Sequence, residues 1–131
     1  MQNPFKEGDT KVYRKTVTEA DFAQFEAGLV HPVCSTFALA QAMEWASRLF
    51  VLEMKDEDEE GIGTMVHIDH LSPAFLGETL EVEASFKSLT GNALHCDITV
   101  KAEERVVATG QTGQKILKKE KINRLLKNSR N

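Results

Sequence analysis

Apolar and polar positions change period twice along the chain, and those changes divide it into elements. The stretch from Asp9 to Val17, DTKVYRKTV, suits a first strand with many exposed positions. Thr18 and Asp21 stand three apart, just before Phe22 and Phe25. They have the form of a capping box and predict a short helix over about 18–27, ended near Gly28. Residues 35–54, STFALAQAMEWASRLFVLEM, are rich in Ala, Leu and Met, contain no Gly or Pro, and begin with two hydroxyls able to cap. They predict one long helix. Its apolar residues surround most of the circumference, the mark of a buried helix.

After Gly61 the period becomes two. Ile62, Thr64, Val66, Ile68 and His70 fall on one face, with Met65, His67, Asp69 and Leu71 on the other. Pro73 ends that strand. Leu80, Val82, Ala84 and Phe86 alternate with charged and small polar residues in the next. Thr90-Gly91-Asn92 is a hairpin signal, after which Leu94, Cys96, Ile98 and Val100 alternate again. A turn at Glu103-Glu104-Arg105 leads to a last strand, 106–117. Three consecutive antiparallel strands with one apolar face, following an apolar helix, predict an α+β architecture. A curved antiparallel β-sheet would wrap around one long central helix. Ile122, Leu125 and Leu126 stand at helical spacing and predict a partly docked C-terminal helix.

Composition narrows this picture. The 131 residues fit a single domain over 1–131, with a core over about 9–117 and a basic tail over 118–131. The 16 Lys and Arg against 20 Asp and Glu give a net charge of −4, which argues against nucleic acid as a partner. No apolar run is long enough to span a bilayer, so no membrane is expected. The N-terminal residues lack the apolar stretch of a signal peptide, and the expected localisation is cytoplasmic. Cys34 and Cys96, both in apolar contexts, do not suggest a disulfide framework. The acidic run KDEDEE at 55–60 reads as a solvated loop.

Three residues could carry chemistry. Glu44 lies between Met43 and Trp45, where an ionised carboxylate is costly unless paired, so a buried, partnered carboxylate is expected there. His70 shares its face with Val66 and Ile68 and points toward the helix. A carboxylate on one of its nitrogens would leave the other to act as a base. Thr36 opens the long helix, where free N–H groups and the helix dipole favour an oxyanion. Thr36 and Glu44 are about 12 Å apart along the helix axis at the usual rise. Direct contact between them within one subunit is therefore not expected. His67 and Asp69 near His70 suggest a metal cluster, but strand parity sends His67 and His70 to opposite faces, and no metal site is expected.

Thr36-Phe37-Ala38-Leu39-Ala40-Gln41-Ala42-Met43-Glu44-Trp45-Ala46, then Gly63-Thr64, then His70, resembles the fluoroacetyl-CoA thioesterase type of hotdog-fold protein. The resemblance runs from about Pro32 to Leu117. It implies a catalytic Thr/Glu/His set at Thr36, Glu44 and His70, with Gly63 near the thioester carbonyl and Phe37 and Val30 as further substrate contacts. It also implies hydrolysis of a small acyl-CoA by a homodimer, or by dimers paired into tetramers. Coenzyme A would be part of the substrate, and no separate cofactor is expected. Thr36 would attack or position the attacking water, His70 would be the base, and Glu44 would orient His70. One departure bears on substrate. Where the fluorine-selective member has two lid phenylalanines, this chain has Ala27 and Val30, so a preference for fluoroacetyl-CoA is not implied. The alternative is a non-catalytic acyl-CoA-binding or sensing protein of the same fold.

Overall fold

The computed structural model describes residues 1–130. Strand β1 spans Thr10–Thr16, followed by a single 3-10 turn over Glu19–Asp21. Strands β2 (Phe22–Phe25) and β3 (Gly28–Cys34) precede helix α1 (Thr36–Met54). Strands β4 (Glu59–His70), β5 (Thr79–Thr90), β6 (Ala93–Ala102) and β7 (Arg105–Lys118) follow, and helix α2 covers Lys119–Ser129. Five strands form one antiparallel sheet in the order β1-β5-β6-β7-β4. Helix α1 lies on its inner face, the α+β arrangement that the alternation predicts.

The core sits between that face and α1. Leu39, Met43, Phe50, Val51 and Met54 of the helix are completely buried against Leu80, Val82, Val100 and Val107. Each such side chain contributes about 1.5–3 kcal/mol relative to leaving it in water. Phe50 makes edge-on contacts with Phe5 and Phe86, at ring-centre distances of 4.8 and 5.7 Å.

Three expectations are corrected. The helix over 18–27 is absent beyond its first turn. Asp21 accepts the Thr18 N–H at 2.9 Å as a capping box should, but residues 22–34 form the β2–β3 hairpin. Gly28, with φ +113° at its turn, lets the chain reverse there. Pro32 and the β-branched Val30 and Val33 favour extended backbone beyond it.

Helix α1 is not buried all round. Phe37, Trp45 and Leu52 form an exposed apolar stripe opposite the core face, with Phe37 81% exposed. Finally, β4 has a bulge: Gly63 pairs with Gln114 and Met65 with Gly113, leaving Thr64 as the extra residue. The parity therefore shifts. His70 does share the inner face with Val66 and Ile68, whose partners Thr112 and Gly110 face inward. Gly61 and Gly63 share it too, whereas Ile62 turns to the outer face beside Ile122 of α2.

Candidate active site

The start of α1 and the end of β4 bring two of the expected residues together. Ser35, not Thr36, caps the helix, its Oγ accepting the Ala38 N–H at 3.0 Å. The Thr36 hydroxyl is thereby free for a tertiary contact, and its Oγ1 lies 2.9 Å from His70 Nδ1. His70 is held in place by the backbone just beyond it. Leu71 and Ser72 both donate their N–H groups to the Val107 carbonyl, at 2.8 and 3.1 Å. When the hydroxyl donates to Nδ1, the ring hydrogen sits on Nε2. Nε2 is enclosed by protein, without a hydrogen-bond partner among the described residues.

Glu44 and Gly63 form a second couple. Glu44 is exposed, which corrects the expectation of a buried carboxylate. Its neighbours Met43 and Trp45 lie on different faces of α1, and Glu44 belongs to the outer one. Glu44 Oε2 stands 3.4 Å from where a Cβ on Gly63 would be, so this carboxylate covers the glycine. The two residues line a cleft of about 220 Å³ together with Gln41, Trp45, Arg48 and Gln114.

The two couples do not meet within the chain. Thr36 and Glu44 are about 12 Å apart along α1, and Gly63 and His70 are roughly 20 Å apart along β4. Glu44 therefore does not orient His70 of its own chain. Phe37 projects into solvent beside Thr36, and Val30 is half exposed in β3.

An ion pair stands beside the cleft. Arg48 Nη1 donates to Glu60 Oε2 at 2.8 Å, and the Gly61 N–H donates to the same oxygen at 2.9 Å. The guanidinium, more than the backbone bond, holds the Glu60 carboxyl down at about 2, against the opposing effect of burial. Arg48 and Gln114 escaped the sequence reading. The signal for Gln114 was present: it is a polar residue at an inward position of β7, between Thr112 and Ile116.

The remaining candidates lie apart from both couples. His67 faces outward, as its parity predicts, with Nε2 3.1 Å from Asp69. Among the described residues no cluster of His, Cys, Asp and Glu could hold a metal ion. Both cysteines are free, and burial pushes the Cys34 thiol up to about 11 and Cys96 to about 12.

Comparison with known proteins decides the family. The model of the fluoroacetyl-CoA-specific thioesterase family, FlK, matches residues 17–120. The chain belongs to the FlK family. A thioesterase superfamily member from Thermus thermophilus superposes with a TM-score of 0.93 at 32% identity, over 98% of this chain and 96% of that one. The fluoroacetyl-CoA thioesterase FlK itself superposes with a TM-score of 0.87 at 18% identity, over 95% of this chain and 96% of that one. A hot-dog-like protein from Thermanaerovibrio acidaminovorans gives 0.86 at 18% identity, covering 95% and 93%. The fold expected from the resemblance, a hotdog, is thus the fold observed. Forms of FlK have been solved with acetyl-CoA and with fluoroacetate and CoA. No curated protein matches the chain. No helix of the described residues is long and apolar enough to cross a membrane.

Proposed function

We propose that the protein hydrolyses a short or small acyl-CoA thioester to the carboxylate and free coenzyme A, as a homodimer in the cytoplasm. The observation that carries this reading is the 2.9 Å pair of Thr36 Oγ1 and His70 Nδ1 at the N-terminus of α1. Thr36 attacks the thioester carbonyl carbon, or holds the water that does. In either case the proton leaves to His70 Nδ1 and passes from there to the coenzyme A thiolate as the C–S bond breaks; where Thr36 itself attacks, a water deprotonated by His70 then cleaves the acyl-threonine ester, releasing the carboxylate and returning the proton to Thr36 Oγ1. The N–H groups of the first turn of α1 and its dipole stabilise the oxyanion.

A second copy completes this site. The Glu44–Gly63 couple is too far from Thr36 in its own chain to act on the same carbonyl. A two-fold axis would set the partner subunit's Glu44 and Gly63 against Thr36 and His70. Two features support such a dimer. The apolar stripe of Phe37, Trp45 and Leu52 lies open on α1, and β4 is an edge strand twelve residues long. Two buried, free thiols suit a reducing compartment. The family and the relatives solved with coenzyme A compounds support the substrate class.

The test is a panel of acyl-CoAs, fluoroacetyl-CoA included, with a chromophoric reagent for the released thiol. Hydrolysis is expected with at least one small acyl group, and its loss in Thr36→Ala. Saturable binding of acyl-CoA with no thiol released would contradict hydrolysis and establish a binding protein instead.

A further inference from the structure

One buried polar side chain touches the cleft without belonging to any expected set. Gln114 is 6% exposed on the inner face of β7, directly across the ladder from Gly63. Burying an amide there is costly unless its groups are hydrogen-bonded. Its Nε2 donates to Ser47 Oγ at 2.8 Å and reaches the Glu44 carbonyl at 3.4 Å. Ser47 Oγ donates to that same carbonyl at 2.9 Å. Ser47 is itself buried on the core face of α1, at 1% exposure. The amide thus ties the helical turn that carries Glu44 to the strand opposite Gly63. Gly61 makes room for it, since a Cβ there would lie 3.1 Å from Gln114 Oε1.

We propose that Gln114 is a positioning residue for Glu44: with Ser47 it fixes that turn of α1 against β7, so that the Glu44 carboxylate stands over Gly63. Its consequence for turnover rests on the thioesterase reading; its consequence for the Glu44 side chain does not. Gln114→Met tests both. Methionine fills nearly the same volume without a hydrogen-bond donor, and Ser47 keeps its own bond to the Glu44 carbonyl. The fold should therefore persist, as a thermal melt will show.

Two readouts separate positioning from mere packing. With an acyl-CoA that the wild type hydrolyses, kcat should fall about 10- to 100-fold with KM little changed, the effect of a small misplacement of a reacting group. The carboxyl carbon resonance of Glu44, assigned with Glu44→Gln, should also move in Gln114→Met. A resonance that stays in place overturns the proposal whatever the kinetics. A moved resonance with unchanged kcat in an active enzyme overturns it as well. Should the wild type hydrolyse nothing, the resonance alone decides this proposal, and that failure counts only against the proposed reaction.

Discussion

The start and the middle of α1 hold different kinds of site. At its N-terminus, Thr36 and His70 meet through a direct hydrogen bond, and the far nitrogen of the ring is already enclosed by the chain. In the middle of the helix, Glu44 faces a glycine and an open cleft, with its charge in solvent. The first holds a side-chain pair made within one chain; the second has hydrogen bonds to its backbone carbonyl and none to its carboxylate among the described residues. In the proposed dimer this carboxylate would meet its reaction partner in the second copy. The exposed apolar stripe on the same face of α1 points the same way.

The largest expected effect falls at the N-terminal end. His70→Asn keeps a polar side chain of moderate size and removes the base, so kcat for acyl-CoA hydrolysis should drop about 10²–10⁴-fold. Steady-state kinetics beside a thermal melt will show it. If His70→Asn melts far below wild type yet turns over normally when folded, His70 is a packing residue, and the contrast between the two places disappears.

The two glycines of β4 sharpen the comparison at the middle of the helix. A Cβ on Gly61 would come 2.9 Å from Val51 Cγ1, closer than real contacts allow. Gly61→Ala should therefore cost about 1–3 kcal/mol in urea unfolding. On Gly63 the Cβ would meet Glu44 Oε2 at 3.4 Å, an ordinary contact. Gly63→Ala should stay within about 0.5 kcal/mol of wild type and lower turnover instead. Equal stability losses in both variants would show that Gly63, too, serves only packing.

A smaller effect lies in the acid limb of stability. Glu60 is held at about 2 instead of 4.5, chiefly by Arg48. Its contribution is therefore full above pH 4.5 and is lost as the pH falls toward 2. Arg48→Met removes the cause, so the variant should be less stable than wild type above pH 4.5, and the difference should vanish as the pH falls toward 2. The pair is partly solvated, and the difference should be about 1 kcal/mol or less. Superimposable acid-unfolding curves for the two proteins would show that the ion pair does not stabilise the fold.

How legible these features were depended on how local their causes are. The meander over 79–118 was readable because alternation alone specifies it, and α1 was readable from its composition. The hairpin over 22–34 was not, because the Thr18–Asp21 box specifies one turn and cannot report that the chain then extends. The bulge at Thr64 was hidden, since one added residue leaves the alternation looking unbroken while it moves Ile62 to the other face. The pairing of Thr36 with His70 was anticipated as a shared site, but the capping role of Ser35 that frees the hydroxyl was not. Glu44 was misjudged as buried because its neighbours are apolar, and a helix apolar on both faces looks the same in sequence whether its second face meets a core or a second copy.

The most direct test of a site shared between two copies is complementation. Thr36→Ala and Glu44→Ala are each purified and shown to be inactive, then mixed in equal amounts until subunit exchange is verified with tagged chains. In a heterodimer one site carries both lesions and the other carries none. The shared-site account predicts recovery of about a quarter of wild-type acyl-CoA hydrolysis, since half the dimers are mixed and each holds one whole site. No recovery after verified exchange would place Thr36 and Glu44 in the same chain's site and contradict the account.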